Sequence, residues 1–227
     1  MDEGTDVNPI LKVITAAVAL TLATALPARA TSIAIANSSF ESPSTPGATY
    51  GTVDDWVLAG PSTGGVWDIS NNLGGCPGPC WIPTSAPDGS QIGWLSIGGG
   101  GSGPASMTQV LSDSLVANST YTLTGVYGHP HNFAAGTVFT AELFAGSTLL
   151  ASFSGTGPDA NFTPFSLSYY SGSSPAAGLL TIVLSSNQAQ TGFDRIALSY
   201  TVPDGGFTAS LLGVAMIGLG LLRRALA

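Results

Sequence analysis

The feature that most narrows the fold is an alternation of apolar and polar residues with period two, repeated between the two ends of the chain with no helical hydrophobic period of useful length. Successive strand residues point to opposite faces, so such a stretch makes a half-buried strand. In 137–144, Phe139, Ala141 and Leu143 share one face, and Thr140 and Glu142 take the other. Leu149, Ala151 and Phe153 follow across Ala145-Gly146-Ser147, a three-residue connection with a glycine, which predicts a hairpin. Phe165, Leu167 and Tyr169 alternate with Ser166 and Ser168, and Leu180, Ile182 and Leu184 alternate with Thr181 and Ser185 on either side of Val183. Further runs lie at 32–36, 92–96, 107–111, 119–127 and 193–200. About nine or ten short strands joined by turns rich in Gly, Ser, Pro and Asn predict an all-β fold, a single jelly-roll β-sandwich. Two long connections stand out, 42–66 and 98–106, and loops of that length are functional or disordered more often than not. The run Gly98 to Gly101 lacks the Lys-Ser or Lys-Thr of a phosphate loop and reads as a flexible connection.

The two ends follow a different pattern. Val13 to Leu26 is an unbroken run of apolar and small residues, followed by Pro27 and by Ala28-Arg29-Ala30, a small-x-small cleavage site. This predicts a signal helix within a signal peptide over 1–30, handled by the Sec translocon, although Asp2, Glu3 and Asp6 occupy the place of a basic n-region. At the other end, Val202-Pro203-Asp204-Gly205 precedes an apolar run over 207–222, which ends at Arg223-Arg224. That run predicts a transmembrane helix of about 24 Å, with the two arginines held on the cytoplasmic side. Gly213, Gly218 and Gly220 lower its helix propensity and suit a temporary anchor. The expected organisation is therefore a signal peptide over 1–30, a sandwich domain over 31–201 and a sorting signal over 202–227.

The order of motif, apolar helix and arginines resembles the PEP-CTERM class of sorting signals, in the variant with Val-Pro-Asp in place of Pro-Glu-Pro. The resemblance covers about 25 residues of the tail. It implies that an exosortase cuts near Val202 to Asp204, and that the chain is held transiently in the inner membrane of a Gram-negative bacterium. The product would then reach the cell surface or the extracellular matrix.

Composition restricts the partners of the domain. Within it Arg195 is the one basic side chain, against Glu41, Asp54, Asp55, Asp68, Asp88, Asp113, Glu142, Asp159 and Asp194. Nucleic-acid binding needs Lys and Arg to neutralise phosphates, so nucleic acid is excluded as a partner. Cys76 and Cys80 stand in one short Gly- and Pro-containing loop, and in an exported protein they predict a local disulfide.

Asn37-Ser38-Ser39-Phe40-Glu41, Asn118-Ser119-Thr120-Tyr121-Thr122-Leu123 and Phe193-Asp194-Arg195-Ile196 resemble landmarks of galactose-binding-like jelly rolls, with Arg195 where many relatives have Asn or Asp. The resemblance implies a non-catalytic carbohydrate-binding module associated with exopolysaccharide. No Gly-x-Ser-x-Gly elbow is present, and His129 and His131 flank a proline in what reads as a solvated loop. Adjacent Asp54 and Asp55 point apart in an extended segment, which does not suit glycosidase chemistry. Sugar binding joins an exposed aromatic face to groups that hydrogen-bond hydroxyls. Trp56 beside Asp54 and Asp55, and Trp81 beside the cysteine loop, are the candidates, while Trp67 and Trp94 sit in strand-like runs and read as core. The alternatives are an inert matrix or surface-layer protein and, less favoured, a glycan hydrolase.

Parity raises one further expectation. Asp194 falls in the same alternation as Ile196, Leu198 and Tyr200, which places a carboxylate on the inward side unless a bulge or strand end turns it to water. A buried carboxylate is costly unless paired, protonated or bound to a metal. Glu41, near the first strand, and Asp194, in the last, are therefore expected to share a structural calcium with backbone carbonyls.

The terminal readings predict that mature protein collected outside the cell begins near Thr31 and ends near Val202 to Gly206. Intact mass measures this, and retention of 207–222 in the extracellular form would overturn the sorting expectation.

Overall fold

The computed structural model describes residues 30–60, 63–70, 85–97, 104–131, 138–187 and 190–203, with Gly213, Ile217, Gly218, Arg223 and Arg224 beyond them. The chain divides into two compact units, 1–29 with 202–227, and 30–201. In the first, the five isolated residues are helical, and no helix among the described residues is long and apolar enough to cross a membrane. The expected signal helix, Ala28, most of 207–222, Asp204 and Gly205 lie outside the described residues, as do Cys76, Cys80 and Trp81.

The second unit is an all-β sandwich of two antiparallel sheets. Its strands are β1 (Thr31–Ile33), β2 (Val57–Ala59), β3 (Thr63–Asp68), β4 (Gln91–Ser96), β5 (Ala105–Ser114), β6 (Thr120–His129), β7 (Val138–Ala145), β8 (Thr148–Thr156), β9 (Asn161–Tyr170), β10 (Leu179–Ser186) and β11 (Thr191–Thr201). One sheet runs β3-β4-β11-β6-β9, with β1 also paired to β11; the other runs β2-β5-β10-β7-β8. The predicted hairpin is β7 and β8, with Gly146 of its turn at φ 55°, a conformation glycine adopts without strain. The long connection expected over 42–66 instead contains β2 and the start of β3. Strand β3 opens Thr63-Gly64-Gly65 and has no alternation there, which hid it from a period-two reading.

Alternation then assembles the core. Tyr121, Leu123, Phe165, Leu167 and Leu198 of the first sheet face Met107, Phe139, Leu143, Ile182 and Leu184 of the second, all of them buried. Phe139 stands at the middle, with rings of Tyr127, Phe165 and Phe193 at 4.8, 5.2 and 6.0 Å. A second cluster, Trp67, Ile69, Ile92 and Trp94, covers the opposite face of the first sheet, with Phe162 packed against it. Register explains the grouping: Trp94 lies opposite Gly65 on one side and Gly192 on the other, so these residues share one face of the sheet.

Trp56 is a core residue and not an exposed platform. It is 5% exposed, its ring lies 5.4 Å from that of Phe40, and its indole N–H donates to the Asn37 carbonyl at 3.3 Å. The irregular segment that carries it folds back into the sandwich, because a large aromatic surface gains more from burial than from water. Trp56→Ala should lower unfolding stability by about 3–5 kcal/mol. Val57→Ala, at a neighbour that is 70% exposed, should change it by less than about 0.5 kcal/mol. Denaturant titration of the two variants measures the contrast, and equal effects would contradict this packing.

Candidate functional site

The site is built around an irregularity in β11. The pairing of β11 with β6 runs in register to Asp194↔Val126 and resumes at Ala197↔Thr124, so Arg195 and Ile196 together face a single position of β6. Such a bulge adds one residue and changes which parity faces the core. Phe193 packs inward before it, and Ile196 and Leu198 pack inward after it. Asp194 therefore lies on the opposite side from Phe193, which corrects the inward placement expected from its alternation with Ile196, Leu198 and Tyr200. The sequence carries the signal as a phase change: the inward apolar positions switch from odd at Phe193 to even at Ile196. Arg195 takes φ 56°, the left-handed region, as the residue that absorbs the extra length.

Although it leaves the core face, Asp194 is fully buried. The turn before β4 covers it: the Asp88 N–H donates to Oδ2 at 2.8 Å, and the Arg195 N–H donates to Oδ1 at 2.7 Å. Burial pushes the carboxyl up to about 7, the nearby Asp88 and Glu41 charges push the same way, and the two N–H donors oppose them. Glu41 grips the same turn. Its Oε1 accepts from the Ser90 and Gln91 N–H groups at 2.9 and 2.8 Å, and its Oε2 accepts from the Ser90 hydroxyl at 2.8 Å. Gly89, at φ 69°, passes so close that a Cβ there would run into the Glu41 carboxylate. The expected pair thus does converge, on the turn over 88–91. Among the described residues no three His, Cys, Asp or Glu side chains form a group able to hold a metal.

Beside this turn, the outer face of the first sheet carries an open groove of about 680 Å³. Val126, Pro164, Ile196 and Ala197 give it apolar surface, Ser38, Thr124 and Ser166 bring hydroxyls, and Asp88 and Arg195 bring the charges. The Ile196 N–H donates to the Ser38 carbonyl at 3.0 Å, which fixes the bulge from its second side. None of the hydroxyl residues has a sequence signal, since they come from separate strands and loops and meet only through sheet register.

The other candidates fall elsewhere. Asp54 and Asp55 are exposed; the Ser42 hydroxyl donates to the Asp54 carboxylate, and Asp55 sits at φ 67°. With Trp56 in the core, the three do not form a sugar-binding face. His129 is not in a solvated loop: it ends β6 and is buried, with Nδ1 3.1 Å from the Pro130 carbonyl and 3.7 Å from Asp159. His131 Nδ1 lies 2.8 Å from the other oxygen of the same carboxylate. Val202 and Pro203 are exposed, as are Arg223 and Arg224.

Residues 31–199 match the HpiC1-like family, described as HpiC1 cyclase. Similar solved structures include a cyclase from Fischerella sp. TAU, at 25% identity and a TM-score of 0.64, covering 76% of this chain and 98% of that one. A cyclase from the same organism in complex with 4-(1H-indol-3-yl)butan-2-one matches at 25% identity and a TM-score of 0.63, over 75% and 97% of the two chains. The Stig cyclase Fisc, in complex with (3Z)-3-(1-methyl-2-pyrrolidinylidene)-3H-indole, shares the fold at 24% identity and a TM-score of 0.64, over 76% and 98%. No curated protein matches. These findings overturn the reading of the domain as a non-catalytic carbohydrate-binding module, and equally as an inert matrix protein: the fold is that of enzymes. Because the match runs from the first strand almost to the end of the last, the chain belongs to the HpiC1-like cyclase family.

Proposed function

We propose that this protein is an exported cyclase that closes a ring in a small, flat, largely apolar substrate held in the groove on the outer face of the first sheet. The observation that carries the reading is the family match over the whole sandwich, joined to a groove of a size that suits a small molecule. Support for an indole-type substrate comes from the indole compounds named with the Fischerella cyclases. Ring closure is intramolecular, so its main demand is that the substrate be held folded with the reacting atoms near contact. Val126, Pro164, Ile196 and Ala197 supply surface for that, and the hydroxyls of Ser38, Thr124 and Ser166 orient polar atoms. Asp88 is the carboxyl that lines the groove, and it serves as the group that gives or takes the proton.

Export is supported by the signal-like segment over 1–30 and by the resemblance of 202–227 to an exosortase substrate, with the Sec translocon and the inner membrane as transient partners.

Glu41 and Asp194 suit a structural calcium, completed by backbone carbonyls. Glu41 and Asp194 both hold the turn over 88–91, burial already presses on Asp194, and oxygen donors select a hard cation. When bound, the ion supplies positive charge that keeps Asp194 ionised. Asp194 then holds the Arg195 backbone, and so the edge of the groove.

Two tests follow from this reading. Calorimetric titration of the full chain with 4-(1H-indol-3-yl)butan-2-one should show saturable binding. Ser166→Trp, which fills the groove from an exposed strand position, should weaken it about tenfold or more without lowering the melting temperature. Asp88→Asn should keep this binding and slow ring closure of any accepted substrate about a hundredfold. Absence of binding, or binding unaffected by Ser166→Trp, would sink the proposed site.

The second test uses pH. The folded-state value of Asp194 is raised to about 7 from 3.8, so the folded protein binds the extra proton. Its burial is most costly above about pH 7, and the cost is relieved as pH falls toward about 4. In chelator, the melting temperature should therefore rise from about pH 8 to about pH 5, and Asp194→Asn should flatten the rise. Calcium reverses the sign, because it binds the ionised form: its increment should be largest near pH 8 and fade below about pH 5. Identical melting curves in calcium and in chelator at pH 8 would remove the calcium site.

A further inference from the structure

The geometry points to Arg195 as the residue that recognises a carboxylate on the substrate, and we propose that the accepted class is a flat aromatic body carrying one carboxylic acid. The inference rests on the groove described under the proposed function and adds the charge of the ligand. In residues 30–203 Arg195 is the one Lys or Arg, against nine Asp and Glu. A lone cation in so acidic a domain would ordinarily pair with a carboxylate at the surface, but among the described residues the ion pairs within 4 Å are those of His129 and His131 with Asp159. Asp88, which lines the same groove, is not within that distance of it.

The backbone under Arg195 is built to hold the residue where it is. Its own N–H is fixed by Asp194 Oδ1 at 2.7 Å, the next N–H is fixed by the Ser38 carbonyl at 3.0 Å, and φ is 56°. Strain of this kind persists where the surroundings over-determine it. The side chain is exposed and lines a groove whose remaining surface, Asp88 apart, is apolar or hydroxylated. A guanidinium matches a carboxylate through two parallel N–H···O bonds, and beside low-dielectric walls such a pair is stronger than in water. The net charge of −8 selects further. A dianion such as a phosphate monoester meets one cation against Asp88 and a repulsive field, whereas a monoanion meets about half of that repulsion. A carboxylate joined to an aromatic ring fits both the cation and the Val126, Pro164 and Ile196 surface.

The test compares two ligands of nearly the same shape, indole-3-propionic acid and the neutral ketone 4-(1H-indol-3-yl)butan-2-one, by calorimetry on the full chain at low salt. The acid should bind about tenfold or more tightly than the ketone, and the preference should shrink with added salt. Arg195→Gln should bring the acid-to-ketone affinity ratio to about one, and Arg195→Lys should keep part of the preference. A melting curve on each variant checks folding, and the acid-to-ketone ratio on the unsubstituted protein needs no variant at all. If the ketone binds and the acid binds no better, the carboxylate assignment is wrong while the groove stands. If neither binds, both fall.

Discussion

Two hydrogen bonds to the backbone of β11 set the geometry on which the site depends. Asp194 accepts the Arg195 N–H, and the Ser38 carbonyl accepts the Ile196 N–H, so both N–H groups of the bulge are satisfied without a partner from β6. The consequence is a change of face within one strand. Phe193 and Ile196 both reach the core, although in a regular strand residues three apart would point to opposite sides. The two residues between them are released to the outer face, one buried and acidic, the other exposed and basic.

That arrangement ties the two ends of the domain together. Glu41 follows the first strand, Asp194 belongs to the last, and both hold the turn over 88–91 that leads into β4. The electrostatics are unfavourable as they stand, with burial raising Asp194 and two further carboxylates close by. An apolar residue there would avoid that charge but would leave the Asp88 and Arg195 N–H groups without their acceptor. The carboxylate at 194 is kept because its two oxygens satisfy both N–H groups and so hold the turn and the bulge together.

Family membership and surface chemistry also bear on each other. The HpiC1-like match shows that the sandwich belongs to a cyclase family, while the groove on it is lined by a few apolar side chains, three hydroxyl-bearing residues, Asp88 and Arg195. A fold is a platform on which such a set is mounted, so the match restricts the kind of chemistry and the lining restricts the ligand.

How far the sequence reaches depends on the range of the interaction that decides each feature. Period-two alternation is local, and it was enough to determine an all-β sandwich and most of the strands. The landmark segments around Glu41 and Asp194 were legible too, and they do converge on one turn. What the tertiary structure decided were the features set by partners far away in the chain. Trp56 looked like an exposed platform because its neighbours are Asp54 and Asp55, but it is buried against Phe40. The face of Asp194 was misread because a bulge is a relation between two strands, and only pairing with β6 shows where one residue too many has been inserted. The groove has no local signature at all, since Ser38, Thr124 and Ser166 become neighbours only when β11, β6 and β9 are laid side by side. The membership of a cyclase family escaped because no compact catalytic motif stands in the sequence to mark it.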